Sequence, residues 1–288
     1  MEKKRSYAKI FFIIFFILIL LAIGMEYIKE IGTKKVMVKE YNLSSKKISN
    51  ELDSLKIVHI SDLHYGTTIH QKELQEIVNK INYISPDIVL LSGDLLSKNV
   101  DIKENEITKY LKDINVTIGK YAVSGNEDFK NNLWQNILSN SDFKIIDDTY
   151  ELIYKNSYEP IILSGISTNL VNKNNISEKV ASTKDFISKN ENYYSILVLH
   201  EPDFIDDIDL NSYDLVLSGH SHNGYINLPI IKNLFLEAGS KKYYEPYYKK
   251  GNTDIYISNG LGTSSYSYRF NNRPSINFYR LFSEKKSK

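Results

Sequence analysis

Five short polar clusters in this chain each follow an apolar run. They are Asp62-Leu63-His64, Gly93-Asp94, Gly125-Asn126-Glu127-Asp128, His200-Glu201 and Gly219-His220-Ser221-His222. Carboxylates, imidazoles and an amide oxygen are the donors that hold borderline divalent cations such as Mn, Fe or Zn. The chain has no cysteine, so disulfides and thiolate metal sites are excluded. Taken singly, each cluster is ordinary. An Asp after a strand commonly caps a helix or forms a turn, and a lone loop His carries no assignment. Five clusters at strand ends point further, because ligands gather outside the carboxyl ends of strands in open α/β sheets. Four of the six histidines lie in these clusters. The others, His59 inside a strand and His70 in a loop, read as a sheet residue and a surface residue.

The elements that must position these clusters follow from hydrophobic periodicity. The runs "LKIVHIS", "DIVLLSG" and "GKYAVSG" read as strands. Leu74, Ile77, Val78, Ile81 and Ile84 fall on one face of a helix over 72–84. Further helices are expected near 101–114, 131–138 and 177–188, with a short one near Phe204. The second half is richer in strands: "YELIY", "IILSGIS", "YSILVLH", "YDLVLSG", "DIYISNG" and "SINFYRLF". This alternation predicts a layered α/β domain with parallel pairing. The stretch "KKYYEPYYKK", Lys241 to Lys250, reads as an exposed loop, either ordinary or turned to a membrane or substrate.

The N-terminus is organised differently. Lys3, Lys4 and Arg5 precede Ile10 to Met25, a run without charge. With Tyr27 and Ile28 it approaches the roughly 20 residues that cross a bilayer core. An uncleaved anchor is the expected reading; a signal peptide cleaved near Ala22-Ile23-Gly24 is the rival. Positive charge is nearly balanced across the span, with Lys29, Lys34, Lys35 and Lys39 beyond it, so the positive-inside rule barely decides. A short tail is easily left inside, which would place the large domain outside the cytoplasm. The expected organisation is an anchor over 1–30, a juxtamembrane segment over 31–52 with a possible strand in "KKVMVKEYNL", and a catalytic domain over 53–284. The formal net charge of +1 and the lack of a basic run argue against nucleic acid as a partner.

The motifs "DLH" (62–64), "GDL" (93–95), "GNED" (125–128), "LHEPD" (199–203) and "GHSHNG" (219–224) together resemble the calcineurin-like metallophosphoesterase superfamily. The tail "NGLGTSSYSYRFNNRP", Asn259 to Pro274, resembles its membrane-associated bacterial branch. The resemblance spans about residues 55–282. It implies a four-layer α/β/β/α sandwich carrying two divalent metal ions, in addition to the N-terminal transmembrane helix. Carried over by position, it implies one metal held by Asp62, His64, Asp94 and His222. The other would be held by Asp94, Asn126, His200 and His220, with Asp94 shared.

The chemistry suits phosphoester hydrolysis. Two metals about 3.5–4 Å apart clamp a phosphate, acidify a water and stabilise the leaving oxygen. Gly262, Thr263, Arg269 and Arg273 form a second candidate set, since Arg grips phosphate in a bidentate manner; a plain surface arginine is the alternative. The departure is at position 127. There the family pattern has a histidine that stabilises the transition state or protonates the leaving oxygen, assisted by an aspartate, here Asp128. An ionised Glu127 cannot donate that proton, and losing general acid catalysis costs roughly 10²–10⁴-fold. Turnover should then favour good leaving groups such as diphosphates and aryl esters. A Glu127 kept protonated by an apolar setting, acting as the acid itself, is the other reading.

The expected function is a membrane-anchored phosphoesterase acting on a phosphomonoester, phosphodiester or diphosphate. Its substrate would be a phosphorylated small molecule, a lipid, a nucleotide or an envelope precursor. The alternative is a metal- and phosphate-binding protein with little turnover. A nuclease is disfavoured by charge. A Ser-His-Asp hydrolase is disfavoured because "GTSS" lacks a nucleophile-elbow context.

Overall fold

The alternation read along the chain builds two mixed sheets. A computed structural model describes residues 2–98, 102–130, 133–156, 158–171, 175–229 and 231–285. The chain opens with helix α1, Glu2–Tyr27, extended by one wider turn over Ile28–Gly32. Its strands are β1 (Met37–Ser45), β2 (Leu55–Ile60), β3 (Ile88–Ser92), β4 (Gly119–Val123), β5 (Phe143–Ile145) and β6 (Thr149–Ile153). Then follow β7 (Ile161–Ile166), β8 (Ser195–Leu199), β9 (Leu215–Ser218), β10 (Tyr247–Lys250), β11 (Thr253–Ile257) and β12 (Ser275–Ser283). The remaining α-helices are α2 (Gln71–Ile84), α3 (Glu104–Lys112), α4 (Trp134–Asn140), α5 (Ile176–Lys179) and α6 (Ala181–Ser188). The predicted helix starts at 101 and 131 lie outside the described residues.

One six-stranded sheet has the order β1-β12-β2-β3-β4-β5, the other β10-β11-β9-β8-β7-β6. Strands β2 to β5 run parallel, as do β7, β8, β9 and β11. Strand β12 is antiparallel to β2, and β6 and β10 are antiparallel to their neighbours. The expectation of parallel pairing therefore holds for the strands that carry the clusters and fails at the β12–β2, β6–β7 and β10–β11 pairs.

Side chains alternate across each strand, so every central strand feeds two layers. Ile57, Leu90 and Val123 from the first sheet meet Leu163, Ile196 and Leu217 from the second between the sheets. Val58, Val89 and Ala122 point the other way, onto Leu74, Ile77, Val78 and Ile81 of α2, Ile107 and Leu111 of α3, and Ile137 of α4. On the far side, Ile162, Leu197 and Val216 pack against Ile176, Val180, Ile187 and Ile205. The result is the four-layer α/β/β/α arrangement. Each fully buried aliphatic side chain contributes about 1.5–3 kcal/mol to holding it.

The possible strand in "KKVMVKEYNL" is β1, which pairs in parallel with β12 from Met37↔Ser275 to Ser45↔Ser283. Two other local readings are corrected. The stretch from Lys241 to Lys250 is not all loop, since Tyr247–Lys250 is the edge strand β10 of the second sheet. The helix expected over 177–188 is two, α5 and α6, joined at Val180 (φ −94°, ψ −5°).

Within Lys9–Gly32 the most apolar stretch reaches a mean hydropathy of 2.7 and is not buried against the domain, which the helix meets only at its end, at buried Gly32. It is long and apolar enough to cross a membrane, as a signal sequence also is.

Candidate metal centre

The rim where β2, β3, β4, β8 and β9 end gathers the predicted clusters. Asp62, His64, Asp94, His200, His220 and His222 are all buried there. Two groups have ligand atoms within 4.8 Å of one another: Asp62, Asp94, His200 and His220, and Asp62, His64 and His222. Each group could hold a metal ion. Asp94 Oδ2 lies 3.5 Å from His64 Nε2 and 3.3 Å from His200 Nε2, between the two sets. Asp62 Oδ1 lies 3.5 Å from His222 Nε2 and 3.9 Å from both His64 Nε2 and His200 Nε2. Both carboxylates therefore sit centrally, and Asp94 makes the shorter approaches to His64 and His200.

The backbone is bent to present these groups. Asp62, His64, Asp94, His220 and His222 all have left-handed backbone, with φ of 50°, 42°, 56°, 62° and 45°. Non-glycine residues seldom adopt it, and they cluster where surrounding structure enforces a function. Gly125 is needed for another reason: a Cβ there would overlap the Asp94 carboxylate.

Outer hydrogen bonds set the imidazole tautomers. His200 Nδ1–H donates to Ser92 O at 2.6 Å, and His220 Nε2–H donates to Ala238 O at 2.7 Å. The lone pairs of His200 Nε2 and His220 Nδ1 then face each other at 3.2 Å, with Asp94 Oδ2 alongside. In the neutral rings these lone pairs need a cation between them, a proton on His200 or a metal ion in its place, and imidazole tautomers fixed from behind are the usual support of a metal site. Three further buried atoms have no hydrogen-bond partner: His64 Nδ1, His64 Nε2 and Asn126 Oδ1. An orphaned amide oxygen and imidazole in a thiolate-free nitrogen and oxygen donor set fit a divalent metal.

His222 differs. Arg269 Nη2 lies 3.0 Å from His222 Nδ1. A guanidinium only donates, so Nδ1 accepts and the ring's own proton sits on Nε2, toward Asp62. Ligation through Nε2 requires the other neutral tautomer, with the proton on Nδ1, so this Arg269 contact must open when His222 binds a metal.

Charge follows the same geometry. Burial disfavours the Asp94 carboxylate, but His200, His64 and His220 outweigh it and hold its pKa well below the ordinary range. Burial likewise disfavours charged His200, yet Asp94 and Asp62 raise it well above its ordinary value. Burial and then Arg269 push His222 the opposite way.

Asp128 does not face Glu127 as an acid's helper. It accepts from the backbone N–H groups of Asp94, Leu95 and Gly125 at 2.9, 2.8 and 2.8 Å. It thereby ties the β3 and β4 turns together, and burial beside Asp94 pushes its carboxyl up to about 7. Glu127 donates its backbone N–H to Asp94 Oδ1 at 2.8 Å. Its Oε1 pairs with Lys130 Nζ at 2.7 Å and lies 3.5 Å from Asn126 Nδ2, while Oε2 is buried without a partner. The i, i+3 spacing of Glu127 and Lys130 was a readable signal for that pair.

The second candidate set is corrected. Arg269 is wholly buried and spends its guanidinium on Asn259 O, Gly262 O and His222. It backs an imidazole rather than offering a fork to phosphate. Arg273 Nε donates to Lys35 O at 3.0 Å. His59 Nε2 bonds Ser92 Oγ at 2.7 Å inside the sheets, and exposed His70 precedes α2, where its N–H donates to Glu73 at 3.1 Å. In "LHEPD", Asp203 accepts from the N–H groups of Lys241, Lys242 and Tyr243, and its own N–H donates to Gly239 O at 2.8 Å. It thus braces the loop whose Ala238 carbonyl orients His220.

Comparison with known proteins agrees with this geometry. The family model for calcineurin-like phosphoesterases matches residues 55–224. The uncharacterized metallophosphoesterase YkuE of Bacillus subtilis is 26% identical over 273 residues, covering 90% of each chain. The UDP-2,3-diacylglucosamine pyrophosphatase LpxG of Chlamydia muridarum is 24% identical over 218 residues, covering 62% of this chain and 66% of its own. The structure of the NAD nucleotidase NadN of Haemophilus influenzae superposes with a TM-score of 0.51 at 17% identity, over 72% of this chain and 45% of that one, a likeness of fold alone. The matched segment carries all five polar clusters around one rim, and the chain belongs to the calcineurin-like phosphoesterase family.

Proposed function

We propose that the protein is a membrane-anchored phosphoesterase that cleaves a phosphoester or diphosphate with two divalent metal ions, Mn, Fe or Zn. The observation that carries this is the convergence of imidazole and carboxylate lone pairs around Asp94, described above. When bound, such ions polarise a phosphoryl oxygen and provide a nucleophile at neutral pH. Asp62, His64, Asp94 and His222 would hold one ion. Asp94, Asn126, His200 and His220 would hold the other. Ser92 O and Ala238 O keep His200 and His220 in their ligating tautomers, and Asp128 holds the Asp94 and Gly125 turns in register. Glu127 and Lys130 stand where the family has its acid. With no imidazole there, the leaving oxygen departs with little proton assistance.

The activity named for LpxG, a pyrophosphatase acting on a nucleotide-linked acylated sugar, favours a diphosphate of a lipid or envelope precursor here. A diphosphate has the good leaving group that Glu127 requires. The apolar helix supports placing the domain at a membrane, and we place it on the extracytoplasmic side; an activity reporter fused after residue 288 that works only in the cytoplasm would reverse that orientation. The function is tested with the purified full chain and Mn²⁺ on bis-(p-nitrophenyl) phosphate and p-nitrophenyl phosphate. Hydrolysis of at least one is expected, and hydrolysis of neither refutes the proposal.

The Glu127–Lys130 pair also favours a second reading, a metal- and phosphate-binding protein with little turnover. Metal content does not separate the two readings. Turnover does.

A further inference from the structure

The apolar helix joins the domain at a defined point. Thr33, just past the Lys9–Gly32 span, accepts through Oγ1 from the Arg269 backbone N–H at 2.9 Å. Gly32 packs so closely that a Cβ would lie 2.5 Å from Arg269 O. The same Arg269 reaches inward to His222 Nδ1 at 3.0 Å. A single residue therefore touches both the end of the span and the metal cluster.

The surface beside this junction is apolar and aromatic. Leu234 is 74% exposed, Tyr268 51% and Tyr266 40%. Isolated exposed apolar residues are normal, but these are connected to the site. Tyr266 packs on Phe235 and Tyr225 at ring-centre distances of 5.1 and 5.3 Å, and Tyr225 stacks on His222 at 4.4 Å. Asn227 N–H donates to Phe270 O at 2.9 Å, which ties the two loops together. Tyr268 immediately precedes the residue that contacts Gly32. Exposed Lys29 and Lys35 flank the same junction. Tyrosines at the end of an apolar span and nearby lysines match the headgroup layer of an anionic bilayer.

We propose that Leu234, Tyr266 and Tyr268 form a lip that rests in the headgroup layer of the bilayer holding α1. The lip would keep the metal cluster at the membrane surface, where a phosphate on a membrane lipid can enter it. The lipid substrate rests on the function proposed above; the lip itself does not.

The absence of cysteine makes a direct test possible. Leu234→Cys and Tyr268→Cys each create one labelling site for a fluorophore. Tyr158→Cys is the control: it is fully exposed in the β6–β7 loop, at the opposite end of the strands from His200. The full chain is reconstituted in vesicles of phosphatidylcholine and phosphatidylglycerol with brominated acyl chains. The proposal predicts loss of fluorescence at 234 and 268 and none at 158. Equal quenching at all three positions, or none at 234 and 268, overturns it. The readout involves no turnover. A chain quenched at the lip that hydrolyses neither aryl phosphate would refute the phosphoesterase reading and leave the lip standing.

Discussion

Glu127 Oε1 lies 2.7 Å from Lys130 Nζ, one residue after Asn126, whose own Oδ1 is buried and unpartnered. In the proposed reaction a carboxylate paired to an ammonium thus stands where a leaving oxygen would look for a proton. Glu127→His should raise kcat on an alkyl phosphate by about 10²-fold, the lower end of what general acid catalysis contributes. A p-nitrophenyl ester, whose leaving group needs no proton, should gain far less. Steady-state kinetics on the two substrates decide; no gain on the alkyl ester shows that position 127 does not limit turnover.

Arg269 has three acceptors, and His222 Nδ1 is one of them. Its buried charge and its hydrogen bond to Nδ1 both oppose ligation through His222 Nε2. Arg269→Met should therefore bind Mn²⁺ on the order of tenfold more tightly in a competition assay against a fluorescent chelator, the low end of what outer groups contribute. Arg269→Lys, which keeps the charge, should gain less. A variant that is merely less stable, with unchanged affinity, would reduce Arg269 to a packing role.

His59 gives the fold an acid limit. Burial lowers its pKa from 6.5 to about 3, so the unfolded chain binds more protons between those values. The stability of the neutral ring is complete above the unfolded pKa. It is lost as pH falls toward the folded one, at up to roughly 1.4 kcal/mol per pH unit. His59→Gln can still bond Ser92 and cannot titrate. Urea midpoints at pH 7 and pH 5, measured in chelating buffer, should fall less for the variant than for the wild type. Parallel falls would remove His59 as the cause.

The candidate site was largely legible because its side chains follow buried strands. Runs such as "IVHIS" and "IVLLSG" announce a strand by composition, and the next polar residue marks its end. What stayed hidden has no local signature. Ala238 acts through a main-chain oxygen, which no side chain reports. Arg269 reads as a phosphate fork until Tyr225 and the Asn259–Gly262 turn bury it. The β1–β12 pairing joins residues at opposite ends of the chain, and β5 is three residues long, too short for a period to show. In sequence Asp128 reads as a helper in proton transfer, and its three backbone donors come into view only where the two turns meet.

The proposed site depends on one carboxylate being shared by two cations. Equilibrium dialysis of the full chain against Mn²⁺, with metal counted by mass spectrometry, tests this most directly. Two ions per wild-type chain are expected, and Asp94→Asn should lose both at the same free Mn²⁺ concentration while remaining folded. Equal Mn²⁺ content in wild type and Asp94→Asn would contradict it.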